Sequence, residues 1–143
     1  VKLSLLIDHI KATVPTVKGH VQGIIGLAEI GNSSPSLDQQ CFVLPLKESA
    51  GGNMIDTMAV RQRVTTVIGV AVSIRNVRDA RGEASHDGGL DAVRTELMSA
   101  IQGWTPLDMY GVFTYAGGEL LRMEAGAVIW LFRFQTEHYE SSI

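Results

Sequence analysis

In "VKLSLLIDHIKATVP" the apolar residues fall at Leu3, Leu6, Ile7, Ile10 and Val14, with Lys2, Asp8, His9 and Lys11 between them. That spacing predicts an amphipathic helix, which Pro15 ends because the residue before a proline is pushed out of helical conformation. A weaker helical stripe of Val21, Ile24, Ile25 and Ala28 follows in "HVQGIIGLAEI". Gly23 and Gly26 each cost it about 1 kcal/mol against alanine, so this second helix needs close packing on a neighbour. "GNSSPS" then reads as a loop and "QQCFVLPLK" as a strand, in which Pro45 lacks a ladder donor and so predicts an edge position or a bulge.

The clearest alternation lies in "VRQRVTTVIGVAVSIR", residues 60–75. Val60, Val64, Ile68, Val70, Val72 and Ile74 share one face, and Arg61, Arg63, Thr65, Ser73 and Arg75 the other. At ~3.3 Å per residue this run is far longer than an ordinary strand, so it either breaks near Gly69 or projects past its own sheet. A projecting strand invites pairing with another subunit. The loop before it, "ESAGGNMIDT", holds Met54 and Ile55 between polar residues. It reads equally as a hairpin tip folded onto its own domain or as an apolar tip meant for a partner.

Past the polar connection "NVRDARGEASHDGG", the stripe Leu90, Val93, Leu97, Ile101 and Trp104 predicts a helix, with Asp87 as a candidate N-cap and Gly103 at its C-terminal end. Trp104 continues the stripe and so reads as the cap of a core, with a truncation cost of roughly 3–5 kcal/mol if fully buried. The remaining residues predict strands turning at "AGG" and "EAG", the last with Val128, Trp130, Phe132 and Phe134 on one face. The sum is an α+β fold, a largely antiparallel sheet with helices packed on one face, in a single domain over residues 1–143.

Composition narrows the function. Hydrophobic residues form 45% of the chain and charged residues 19%, a balance that supports a buried core. The net charge of −3, with basic residues scattered, argues against a protein that grips nucleic acid by neutralising phosphates. The single cysteine, Cys41, sits in the apolar run "CFVLPL" and reads as a buried, inert thiol suited to a reducing cytoplasm. No apolar stretch is long enough for a membrane helix, and Asp8 and His9 interrupt any signal-peptide core, so a soluble, unexported chain is expected.

Candidate chemistry is sparse. Ser85, His86 and Asp87 are triad residue types, but sequence neighbours rarely face one another as a proton relay needs, so a solvated loop and helix cap is the better reading. His9, His20 and His138 have no second ligand at metal spacing. The glycine pairs lack the lysine and hydroxyl residue of a phosphate loop, and Asp79, Glu83, Asp87 and Asp91 show no paired acid and base. No catalytic residue, metal or cofactor is therefore expected.

Several stretches nevertheless resemble one family. The N-terminal helix ending "TVP", "FVLPL" at 42–46, "RQRVTTVIGVAVSIRN" at 61–76, "IQGWTP", "YAGGELL" and "VIWLFRFQTEHY" are similar, in order and spacing, to tail terminator proteins of long-tailed bacteriophages, specifically the Mu-like branch. The resemblance implies a structural virion protein, a hexameric ring that caps the tail tube at its final length and meets the head-completion or neck proteins. It places the chain at the head-proximal end of the tail, assembled in the host cytoplasm, with DNA passing through the lumen without specific binding. On this reading Arg61, Arg63 and Arg75 on the long strand, with Met54 and Ile55 on the loop, meet neighbouring subunits or the tube. Two other readings stand beside it: a different neck or head-completion protein, since fold alone does not assign the level in the particle, and a small enzyme or ligand-binding domain with a pocket beside Trp104, Trp130 and the loop carboxylates.

Overall fold

The first helical stripe folds as α1, Leu3–Thr13, burying Leu6 and Ile10, and a 3₁₀ turn at Pro15–Val17 follows it. These belong to a computed structural model that describes residues 2–17, 21–23, 39–55, 58–75, 90–107, 110–124 and 127–142. The expected second helix is not formed at its start, because Val21–Gln22 make a short strand, β1, paired in parallel with Cys41 and Phe42. A valine beside an apolar strand gains both ladder bonds and burial there, and the glycine-weakened helix stripe offers less. Residues 24–30 of that stripe, and the "GNSSPS" loop, lie outside the described residues.

Strand β2 (Gln39–Ala50), the long β3 (Arg61–Arg75), β4 (Thr114–Glu124) and β5 (Ala127–Ser141) complete a five-stranded sheet in the order β1-β2-β3-β5-β4. All pairs except β1–β2 are antiparallel. Pro45 meets its expectation: the β2–β3 register shifts between Pro45 and Lys47, leaving Leu46 as the extra residue.

Strand β3 does not break at Gly69. Its 15 residues pair without a register shift along all of β5, from Arg61 opposite Ser141 to Arg75 opposite Ala127. Gly69 instead admits neighbours, since a Cβ there would lie 2.8 Å from Leu131 Cδ1 and 3.0 Å from Leu46 Cδ1. The "AGG" turn is also corrected. Gly117 and Gly118 sit inside β4, where the register shifts between Tyr115 and Gly117, and Gly117 takes a φ of 118° that a side chain would resist.

Helix α2, Asp91–Ile101, buries Val93, Leu97 and Ile101. Leu90 precedes it without a side-chain cap, and the proposed cap Asp87 lies outside the described residues. Buried residues of α1 and α2 join one apolar cluster with Cys41 and Val43 of β2, Ile68, Val70, Val72 and Ile74 of β3, and Val128, Phe132 and Phe134 of β5. The opposite face of β3 is not polar throughout, as its alternation predicted. Ser73 is fully buried, and Ala71 joins Phe42, Ile129 and Leu131 in a second cluster.

Candidate functional site

The main cluster takes from β3 only Ile68, Val70, Val72 and Ile74. The Arg61–Val67 half, with Lys47–Ala50 of β2 and Gln135–Ser141 of β5, runs on past that cluster as an arm of about 20 Å in which Val64, Thr136 and His138 are still buried. The open edge of β5 is bound there by the segment after α2: Gly111 N–H donates to the Glu137 carbonyl at 2.7 Å, and the Thr136 hydroxyl donates to the Gly111 carbonyl at 2.6 Å. The arm is held on both sides.

Its tip is built around one side chain. Asn53 Oδ1 accepts from the backbone N–H groups of Ile55 and Arg61, at 3.2 and 2.9 Å, while its Nδ2 donates to the Ala59 carbonyl at 3.1 Å. Met54 N–H donates to the Arg61 carbonyl and Ser142 N–H to the Val60 carbonyl, tying the tip to β3 and to the end of β5. On this frame Met54 is 58% exposed, Met58 is fully exposed and Ile55 is half-buried. The two exposed methionines on the described part of this hairpin make it a candidate contact surface.

Beside the tip, Arg61 and Arg63 flank one ring, their guanidinium carbons 4.7 and 5.9 Å from the centroid of Tyr139. Arg63 also lies 3.9 Å from Glu137. Interaction with Tyr139, first through a hydrogen bond, and then the Glu137 carboxylate raise the Arg63 pKa above its ordinary value. The structure thus brings Met54, Ile55, Arg61 and Arg63 together at one end. It leaves Arg75 at the other end of β3, about 46 Å away along the strand, and that side chain is outside the described set. Tyr139, Met58 and Asn53 went unnoticed in the sequence; exposed aromatics at a strand end and asparagine in a hairpin were the available signals.

Among the described residues, the chemistry sought elsewhere is not assembled. Ser85, His86 and Asp87, with His20, Asp79 and Glu83, lie outside the described residues. Among the described residues no group of three His, Cys, Asp or Glu could hold a metal. His9 Nε2 donates to the Ala100 carbonyl at 2.7 Å, and His138, only 9% exposed, contacts Glu140 at 2.7 Å through Nε2 while its buried Nδ1 has no partner. Cys41 is fully buried, and loss of solvation pushes its thiol pKa up to about 12. Among the described residues Trp104 and Trp130 stand in different surroundings. Trp104 stacks between His9 and Phe113, whereas Trp130, Tyr115, Phe132, Leu90, Asp91 and Arg94 line a hollow of about 260 Å³.

Among the described residues, the most distinctive surface of this α+β fold is the arm with its apolar, cationic tip. Residues 1–142 match the phage tail terminator protein family, and the chain belongs to that family. It is accordingly a structural protein of the phage tail, and membership points away from enzymatic work. A comparison with curated proteins found no significant match. No helix among the described residues is long and apolar enough to cross a membrane.

Proposed function

We propose that this protein, as a member of the Mu-like branch, forms a ring, of six copies, that caps the tail tube at its final length and presents a surface to the head-completion or neck proteins. The observation that carries this reading is the family match over residues 1–142. The arm supports it: a ring needs exposed surface on each copy for its neighbour, and the end of the arm offers it in Met54, Met58, Arg61 and Arg63. Met54, Ile55, Arg61 and Arg63 form the contact with a neighbouring subunit or the tube, and Arg75 serves a separate contact at the far end of the strand. A net charge of −3 suits a lumen through which DNA passes without being held.

Particle morphology tests the proposal. Phage assembled without this chain should carry tail tubes that overrun their normal length, and adding back the purified chain during assembly should restore it. Tails of normal length that fail to join heads would instead assign the chain to head completion and overturn the terminator reading.

A further inference from the structure

The end of the arm carries two exposed cations on one face of β3. Arg61 and Arg63 stand two residues apart on the strand, and both guanidinium groups lie against the Tyr139 ring. Among the described residues no carboxylate forms an ion pair with Arg61. The Glu137 carboxylate is 3.9 Å from Arg63, beyond hydrogen-bonding distance, and both side chains are about half exposed. Such a long, solvated contact gives way readily to a better-placed carboxylate. The ring meanwhile holds two long side chains whose ordering would otherwise oppose binding. Apolar surface adjoins them: Val60 is 38% exposed directly before Arg61, and Met54 N–H donates to the Arg61 carbonyl, which sets the exposed methionines beside the cations.

We propose that the end of the arm docks an acidic segment of a partner protein, its carboxylates meeting Arg61 and Arg63 and an apolar side chain resting on Met54 and Met58. Charge complementarity selects the carboxylates, because a guanidinium presents a planar fork of N–H donors that matches a carboxylate in two parallel hydrogen bonds. The methionines accept apolar side chains of varied shape, since their torsions and polarisable sulfur adapt to what they meet. Nucleic acid fits this surface less well. The chain is −3 overall, Glu137 stands between β3 and the strand edge beside the two arginines, and a phosphodiester backbone offers the methionines no apolar group.

This inference rests on the proposal that this end meets a neighbouring subunit or the tube, and it names the chemistry of that contact. The test uses the full chain as Met58→Cys, with a short photoactivated cross-linker on the new thiol, as the terminator in assembling tails. Met58 is fully exposed, so the fold tolerates the change, and the native Cys41 is buried and stays unlabelled. After irradiation, mass spectrometry of the linked peptide should find Asp or Glu residues beside an apolar residue. Arg61→Glu with Arg63→Glu should lower incorporation into tails about ten-fold or more, with thermal unfolding unchanged because both side chains are exposed. Arg61→Lys with Arg63→Lys should lose far less. In tails of normal length, a link to a segment without carboxylates, a link to DNA, no link at all, or full incorporation of the charge-reversed variant overturns the acidic partner and leaves the terminator reading standing. A wild-type chain that neither enters tails nor sets their length overturns both.

Discussion

The imidazole of His9 lies flat on the indole of Trp104, ring centroids 4.2 Å apart and planes within 7° of parallel. The pair joins the first helix to the end of the second, where His9 also binds the Ala100 carbonyl. Trp104 is anchored in turn to the approach to β4: Gly103 N–H donates to the Phe113 carbonyl, and Phe113 N–H to the Trp104 carbonyl, both at 2.8 Å.

Trp104 is half-buried, so Trp104→Ala should cost about 2 kcal/mol in urea unfolding, below the roughly 3–5 kcal/mol of a fully buried aromatic. A double-mutant cycle with His9→Ala should return a coupling of about 0.5–1.5 kcal/mol. Additive effects would show that the stack contributes nothing beyond burial.

Cys41 gives a pH dependence whose sign is fixed. The unfolded thiol ionises near its ordinary value of 9.0, whereas the folded one keeps its proton to about 12. The native state therefore binds more protons in that window, and the contribution of this group to stability is full below pH 9 and falls as pH rises toward 12, by up to about 1.4 kcal/mol per pH unit. Cys41→Ala should flatten the alkaline limb of the stability profile. In the wild type, a thiol reagent at pH 8 should react no faster than global unfolding allows.

Gly118→Ala should destabilise more than Gly69→Ala. The Cβ at 69 meets the flexible ends of Leu46 and Leu131, whereas that at 118 meets the Leu131 carbonyl at 3.0 Å together with Trp130 and Tyr115. Costs of about 1–3 kcal/mol at 118 and about 1 kcal/mol or less at 69 are expected from thermal unfolding. The reverse order would mean that β4 yields more readily than two leucine side chains.

Asn53→Ala should leave global stability within about 1 kcal/mol, because its hydrogen bonds are exposed to water. Amide exchange at Ile55 and Arg61 should nevertheless speed markedly, and self-association should weaken, since the tip would have to be ordered at each encounter. Unchanged exchange at both amides would remove Asn53 as the organiser of the tip.

The sequence by itself determined what is local. The periods of residues 3–14, 60–75, 90–101 and 128–134 assigned α1, β3, α2 and β5 and most of their buried faces, because the geometry of each element dictates which positions share a side. Met54, Ile55, Arg61 and Arg63 were legible as a candidate surface for the same reason: an apolar pair in a polar loop and cations alternating on a strand are visible without a fold. Tertiary structure alone decided the rest. It placed Tyr139 against two arginines more than 70 positions earlier, buried Ser73 on a face that alternation marked polar, and drew Val21 into a strand beside Cys41. It also left one half of β3 outside the main core and set Gly117 and Gly118 inside a strand. These outcomes depend on which distant segments pack together, and the burial gained there outweighs propensities that differ by a kcal/mol or less.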